Sequence, residues 1–190
     1  MSRGLDSAVH LAQQFLSGSV RSGGTSVDAT AGRGNDTLFL ARLAGSEGRV
    51  FSFDIQEDAL LSTRALLESA GMADRVTLIK AGHENMERYV SGPVDSVIFN
   101  LGYLPGGKHS FITKPDSTVR ALQAALRLLR PGGRAGLVIY TGHPGGMEEY
   151  EAVEKTSAGL DSALFSVIKI VLLNRAATAP VVIVIEKAGG

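Results

Sequence analysis

A glycine pair with acids on either side holds the first chemistry in this chain. Asp28-Ala29-Thr30-Ala31-Gly32-Arg33-Gly34-Asn35-Asp36-Thr37 follows a short β-branched run and leads into a helical pattern. Glycine at Gly32 and Gly34 permits a tight turn and lets a ligand approach the backbone. The third glycine of a dinucleotide fingerprint is missing, and Thr37 stands in its place. A pyrophosphate would rest on the helix N-terminus, where Asp28 and Asp36 would repel it. The same two acids suit a ligand with a positive ammonium and no phosphate, such as S-adenosylmethionine. (Asp36 in a first helical turn also complements the helix dipole.) Asp54 ends the next apolar run, Phe51-Ser52-Phe53-Asp54-Ile55, twenty residues after Gly34. A carboxylate there can accept both hydroxyl hydrogens of a ribose. Gly82 and His83 end the third run and would border an adenine; His83 reads equally as a helix N-terminal residue with no ligand contact.

A second group lies further along, in Phe99-Asn100-Leu101-Gly102-Tyr103-Leu104-Pro105. An Asn at a strand end, then a tight turn and an aromatic, resembles the Asn-Pro-Pro-Tyr motif of methyltransferases acting on amino groups. Leu101 and Gly102 replace the two prolines. A nitrogen nucleophile must aim its lone pair at the methyl carbon. The Asn100 side-chain carbonyl and the Leu101 backbone carbonyl would hold the amine hydrogens, with Tyr103 packed on the target group. Positioning of this kind can supply most of the catalysis when the methyl donor is already activated. Tyr140-Thr141-Gly142-His143 ends the fifth run. His143 could take a proton, hydrogen-bond an RNA group or only fix its loop.

These residues need a scaffold that brings strand ends together. Strands are expected at Ser26–Ala29, Arg49–Asp54, Val76–Lys80, Ser96–Asn100, Ala135–Tyr140, Ser166–Leu173 and Val181–Glu186. Helices are expected near Leu5–Leu16, Asn35–Ala44, Glu57–Ala70, Glu84–Val90, Ser117–Leu129 and Met147–Lys155. Val119, Leu122, Leu126 and Leu129 make an apolar stripe at spacings of three and four, stopped by Arg130-Pro131-Gly132-Gly133. Alternating strands and helices imply a parallel sheet covered on both faces. Asn174–Pro180 is too short for a helical crossover, so the last two strands pair as an antiparallel edge hairpin. Leu5–Leu16 would cover the ligand edge. Ligands of such sheets bind beyond the carboxyl ends of the strands, where every residue singled out above falls.

The chain has 190 residues, which predicts one domain spanning 1–190, and 44% are hydrophobic, enough for a full core. Lys and Arg number 19, as do Asp and Glu, so there is no dominant positive field for coating DNA or gripping a membrane. Cys is absent, which excludes disulfides and Cys-ligated zinc and favours a reducing compartment. No apolar run approaches the roughly 18 residues of a membrane span, and Met1–Gly18 lacks a signal-peptide pattern. A cytoplasmic protein is expected. Leu101 to Arg134 holds six bases (Lys108, Lys114, Arg120, Arg127, Arg130, Arg134) and one acid, Asp116, which for the arginines reads as a solvated helix face.

Four strings together carry a family resemblance over essentially the whole length: Asp28-Ala29-Thr30-Ala31-Gly32-x-Gly34-x-Asp36-Thr37, Phe53-Asp54-Ile55-Gln56, Phe99-Asn100-Leu101-Gly102-Tyr103-Leu104-Pro105 and Tyr140-x-Gly142-His143. They resemble the YtqB/MnmM family, long labelled rRNA methylases. The resemblance implies a class I S-adenosylmethionine-dependent methyltransferase fold, with a Rossmann-like, mostly parallel seven-stranded sheet. It also implies methylation of the aminomethyl group of wobble 5-aminomethyl-2-thiouridine in tRNA. The partner would be the anticodon stem-loop, read by stacking, and a homodimer would pool the basic excess of two chains. The location would be cytoplasmic, or an organelle stroma or matrix in a eukaryote. The cofactor would touch Asp28, Thr30, Gly32, Gly34, Asn35, Asp36 and Thr37 in the turn. It would also touch Asp54, Ile55 and Gln56, then Gly82 and His83, then Asn100 and Leu101. Asn100, Tyr103 and His143 would be catalytic, and Tyr103, Lys108, Tyr140 and His143 would hold the substrate. Arg33 departs from the Asn expected in relatives, at a position where only the backbone need touch the cofactor.

Overall fold

A computed structural model describes residue 5, residues 7–102 and residues 113–189. Its elements are α1 (Ala8–Ser17), β1 (Thr25–Asp28), α2 (Asn35–Ala44), β2 (Arg49–Asp54), α3 (Glu57–Ser69), β3 (Val76–Lys80), β4 (Val94–Leu101), α4 (Pro115–Leu128), β5 (Leu129–Ile139), α5 (Gly146–Ala158), β6 (Phe165–Ile170) and β7 (Val181–Lys187). Short 3-10 helices, Ala73–Arg75 and His83–Arg88, precede and follow β3. The sheet runs β3-β2-β1-β4-β5-β7-β6, with strand order reversing between β1 and β4. The first five strands pair in parallel, and β7 lies antiparallel between β5 and β6. This is the expected sheet with its edge hairpin. No helix among the described residues is long and apolar enough to cross a membrane.

The central strands are apolar on both faces because helices cover both. Val97, Phe99 and Leu101 of β4 pack with Ala121, Leu122, Ala125 and Leu126 of α4. On the opposite face Ile98 packs with Leu16 of α1 and Leu40 and Ala41 of α2. Ala8 and Ala12 of α1 meet Val138 of β5 and Val182 and Val184 of β7. A Cβ on Gly136 would lie 3.1 Å from Leu16 Cδ1, so glycine in β5 lets α1 sit down on the sheet.

Four of the departures from the sequence reading have a clear local reason. Helix α1 starts at Ala8 because the Ser7 hydroxyl caps it, accepting from His10 N–H at 3.2 Å. The segment expected as a helix at Glu84–Val90 is a 3-10 turn, opened by an Asn85 N–H to Gly82 carbonyl bond of 3.0 Å. Helix α4 does end ahead of Pro131, but β5 already starts at Leu129. The Pro-Gly-Gly run bulges out between the pairs Val94–Leu129 and Ser96–Arg134. Strand β6 ends at Ile170, paired with Val182 next to the start of β7, and the Leu172 carbonyl is taken by a turn with Arg175 N–H at 3.1 Å.

Candidate active site

Beyond the carboxyl ends of β1, β2, β4 and β5 lies a cavity of about 770 Å³. Its wall includes Thr30, Gly32, Asn35, Asp36, Asp54, Ile55, Gln56, Gly82, His83, Asn100, Tyr140 and His143. Four expected cofactor contacts, Asp28, Gly34, Thr37 and Leu101, are not in that wall. Tyr103 and Lys108 lie outside the described residues.

Asp28 ends β1 and is fully buried. Its Oδ1 accepts from Thr30 N–H at 3.0 Å and its Oδ2 from the Thr37 hydroxyl at 2.6 Å. The Thr37 hydroxyl also meets Ser52 Oγ at 2.8 Å. Asp28 and Thr37, both expected among the cofactor contacts, are buried outside the cavity wall and brace the turn from beneath. Burial, then the neighbouring Asp36 charge, push the Asp28 carboxyl up to about 7. Gly34 adopts φ +82°, and a Cβ there would lie 2.9 Å from Thr63 Cα, so its role is close packing of the turn on α3. Leu101 is buried, and its carbonyl, expected to hold an amine hydrogen, accepts from Tyr140 N–H at 3.4 Å.

Asp54 does face the cavity. Gly32 N–H donates to its Oδ2 at 3.0 Å and Gln56 N–H to its Oδ1 at 2.9 Å. Two backbone donors fix the carboxylate plane, and each oxygen keeps a lone pair for a diol. His83 opens the 3-10 helix and also lines the cavity, so both of its readings describe one residue. Its Nδ1 sits 3.2 Å from the Ala29 carbonyl, its ring meets Phe99 edge-on, and burial lowers its pKa. The neutral imidazole thus gives that carbonyl its Nδ1–H.

The reacting end is built around Asn100. Its N–H donates to the Thr30 hydroxyl at 2.7 Å, which ties β4 to the glycine turn. Its side-chain amide donates to Asp36 Oδ2 at 3.2 Å. Asp36 Oδ1 accepts from Gln13 Nε2 of α1 at 2.7 Å. A carboxylate that takes two amide N–H groups turns the amide nitrogen of Asn100 toward itself. The Asn100 carbonyl oxygen then faces away from Asp36. Burial raises Asp36, and its two amide donors oppose that rise. Tyr140, also on the wall, has its phenol pKa raised by burial and by the Asp36 charge. His143 stands half-buried, with Nδ1 3.0 Å from the Pro144 carbonyl.

The acidic floor, the oriented Asp54 and the backbone donors fit S-adenosylmethionine and oppose a pyrophosphate. Sequence reasoning missed Gln13, for which the signal was only a polar residue on a helix expected over the ligand edge. It also missed Thr113, Ser117 and Thr178, which line the cavity together with Lys114. The basic excess is only partly a solvated face. Arg127 binds Glu87 through two 2.8 Å bonds, Arg130 binds the buried Asp95, and Arg134 binds Glu186.

Residues 50–186 match the family described as "Putative rRNA methylase". The chain belongs to this family. Within the rRNA-methylase family's range of likeness, an Arabidopsis thaliana protein named tRNA (mnm(5)s(2)U34)-methyltransferase, chloroplastic, is 44% identical over 178 residues. The match covers 88% of this chain and 65% of that relative, so the chain spans a little under two thirds of its length. A Clostridium thermocellum crystal structure described as a "putative rRNA-methylase" superposes with a TM-score of 0.94 at 44% identity. It covers 97% of this chain and 99% of that one. A Streptococcus mutans methyltransferase structure in complex with SAH gives 0.88 at 38% identity, with the same coverage of both chains. The rRNA-methylase family fold is thus that of the class I methyltransferases.

Proposed function

We propose that the chain is an S-adenosylmethionine-dependent N-methyltransferase. Its substrate is the aminomethyl group of wobble 5-aminomethyl-2-thiouridine in the tRNA anticodon stem-loop, and its product is 5-methylaminomethyl-2-thiouridine. The observation that carries this reading is the Asp36–Asn100 hydrogen bond, which presents an amide carbonyl beside the acid-flanked turn. The Arabidopsis relative's name supplies the substrate class. S-adenosylmethionine, when bound, supplies a methyl group already activated by its sulfonium. Asp54 and the Gly32 backbone hold the cofactor's adenosine, with the buried Asp36 as the acid nearest its amino-acid end. The Asn100 carbonyl holds one amine hydrogen and so orients the nitrogen lone pair toward the cofactor side of the cavity. Tyr140 and His143, which lie beside Gly102, contact the uridine. Lys114 and Arg120, exposed at the start of α4, meet the flanking phosphates.

Bulk tRNA carrying the unmethylated aminomethyl group, incubated with purified protein and cofactor, should give digested nucleosides in which that uridine gains one methyl group. Methylation confined to ribosomal RNA or to free amines, with the tRNA nucleoside unchanged, would overturn this reading.

A further inference from the structure

Gly102, the residue after β4, and Thr113, two residues before α4, are hydrogen-bonded to each other and tied to a carboxylate from a third element. Thr113 N–H donates to the Gly102 carbonyl at 3.3 Å, and Gly102 N–H donates to the Thr113 hydroxyl at 3.2 Å. That hydroxyl donates in turn to Glu149 Oε2 at 2.7 Å. Glu149 Oε1 accepts from the Thr118 hydroxyl of α4 at 2.6 Å. Glu149 sits in the first turn of α5 and is wholly buried, as is Thr118.

A buried carboxylate is costly even when hydrogen-bonded, and an apolar side chain would fill the same space at lower cost. The side-chain hydrogen bonds to Glu149 come from two hydroxyls. Burial pushes its pKa up, while the two threonines and the nearby His143 oppose that rise. What the carboxylate provides is a fork of two acceptors. With it, the Thr113 hydroxyl is fixed as a donor to Glu149 and so presents its lone pair to Gly102 N–H. Gly102 has φ +151° and lines the cavity between Asn100 and the ring of His143, where a Cβ would lie 3.6 Å from Nε2.

We infer that Glu149, acting through Thr113, is a positioning residue that sets the Asn100–Gly102 strand end for methyl transfer. The inference rests on the reading of Asn100 as the amine's acceptor. It places a determinant of the rate outside the cavity wall, on a helix that contributes nothing to the cofactor half of the site.

The test uses the full chain with Glu149→Gln, Thr113→Val and Thr113→Ser. Glutamine turns one acceptor of the fork into a donor, valine removes the hydroxyl at similar size, and serine keeps it. Gly102 amide exchange, read by NMR, should quicken about tenfold or more in the first two variants and stay slow in Thr113→Ser. Single-turnover methyl transfer at saturating tRNA should fall about tenfold or more in the same two, with S-adenosylhomocysteine affinity within about twofold, a split expected when only orientation is lost. The double variant Glu149→Gln/Thr113→Val should be little worse than either single, since both break one chain of bonds. If Glu149→Gln does not fold, Thr113→Val decides alone. Unchanged Gly102 exchange overturns the clamp; faster exchange with an unchanged rate overturns its catalytic part. Equal losses of rate and cofactor affinity would make Glu149 a general structural residue. If wild-type protein fails to methylate the tRNA, the functional reading falls, and the exchange arm still decides the clamp.

Discussion

Replacing Asn100 with Asp changes little but the group that faces Asp36. The amide nitrogen that donates to Asp36 at 3.2 Å becomes an oxygen. Two ionised carboxylates at that separation repel by about 5 kcal/mol at an effective dielectric of about 20. Since about 1.4 kcal/mol holds a proton through one further pH unit, the pair keeps one shared proton past neutrality. Burial, which already raises Asp36, acts in the same direction. While the proton is shared, an O–H replaces the N–H that pointed at Asp36, and the other oxygen of residue 100 still accepts an amine hydrogen. Once the proton leaves, the carboxylates separate and the aim is lost. The wild-type rate should instead rise with pH as the substrate amine loses its proton, and then level. The Asn100→Asp enzyme should therefore show an alkaline descending limb that wild type lacks. Asn100→Ala, with no acceptor, should lose about a hundredfold in rate at every pH. The assay is single-turnover transfer to aminomethyluridine tRNA from roughly pH 6 to pH 9, with S-adenosylhomocysteine calorimetry on the same preparations. Parallel profiles for wild type and Asn100→Asp would refute the coupling. Survival of Asn100→Ala within a few-fold would make the turn mere scaffold.

Asp54→Ala should weaken cofactor binding by about 1–3 kcal/mol, because charged hydrogen-bond partners are lost; calorimetry with an unchanged affinity would contradict its place at the ribose. Asp28→Asn should stabilise the protein above neutral pH. With the folded carboxyl near 7 and the ordinary value at 3.8, the unfolded chain loses this proton first as pH rises. Wild-type stability thus falls between those two values and stays lower above them. Urea unfolding near pH 5 and near pH 8 should show that fall in wild type and a smaller one in Asp28→Asn, and equal falls would refute it. Binding to tRNA should show a shallow salt slope, and Lys114→Ala or Arg120→Ala should each reduce it by about 0.7–0.9. A slope too steep for a few contacts, together with a doubled mass in sedimentation, would point to a homodimer pooling both sets.

The sheet was legible because its signal is redundant. Each strand is a β-branched run, each crossover a helical pattern, and the short Asn174–Pro180 link leaves only a hairpin. The glycine turn and Asp54 were legible for a similar reason, since residue type and distance along the chain agree. What failed was the direction of side chains at the strand ends. Asp28 and Asp36 flank the same turn, yet Thr30 and Thr37 draw the first inward and Gln13 and Asn100 hold the second at the wall. The register with β5 brings Tyr140 N–H to the Leu101 carbonyl, a contact that no local pattern in the sequence shows. Gln13 and Glu149 were invisible because their partners lie 23, 31 and 36 residues away, and no local pattern encodes those contacts.

The seating of α1 has a consequence for how the chain is made. Ala8 and Ala12 bury themselves against Val138, Val182 and Val184, so the first helix is fully seated only when β7 is in place. Strand β7 itself inserts between β5 and β6, at the end of the described chain. Parallel strands β1, β2 and β3, with the Asp54–Gly32 half of the site, can pair while the remainder is still inside the ribosome. The Gln13–Asp36–Asn100 half is completed later, because α1, which carries Gln13, is fully seated only once Val182 and Val184 have been made. On the proposed reading, a nascent chain therefore completes the half of the site that holds a nucleoside before the half that aims an amine.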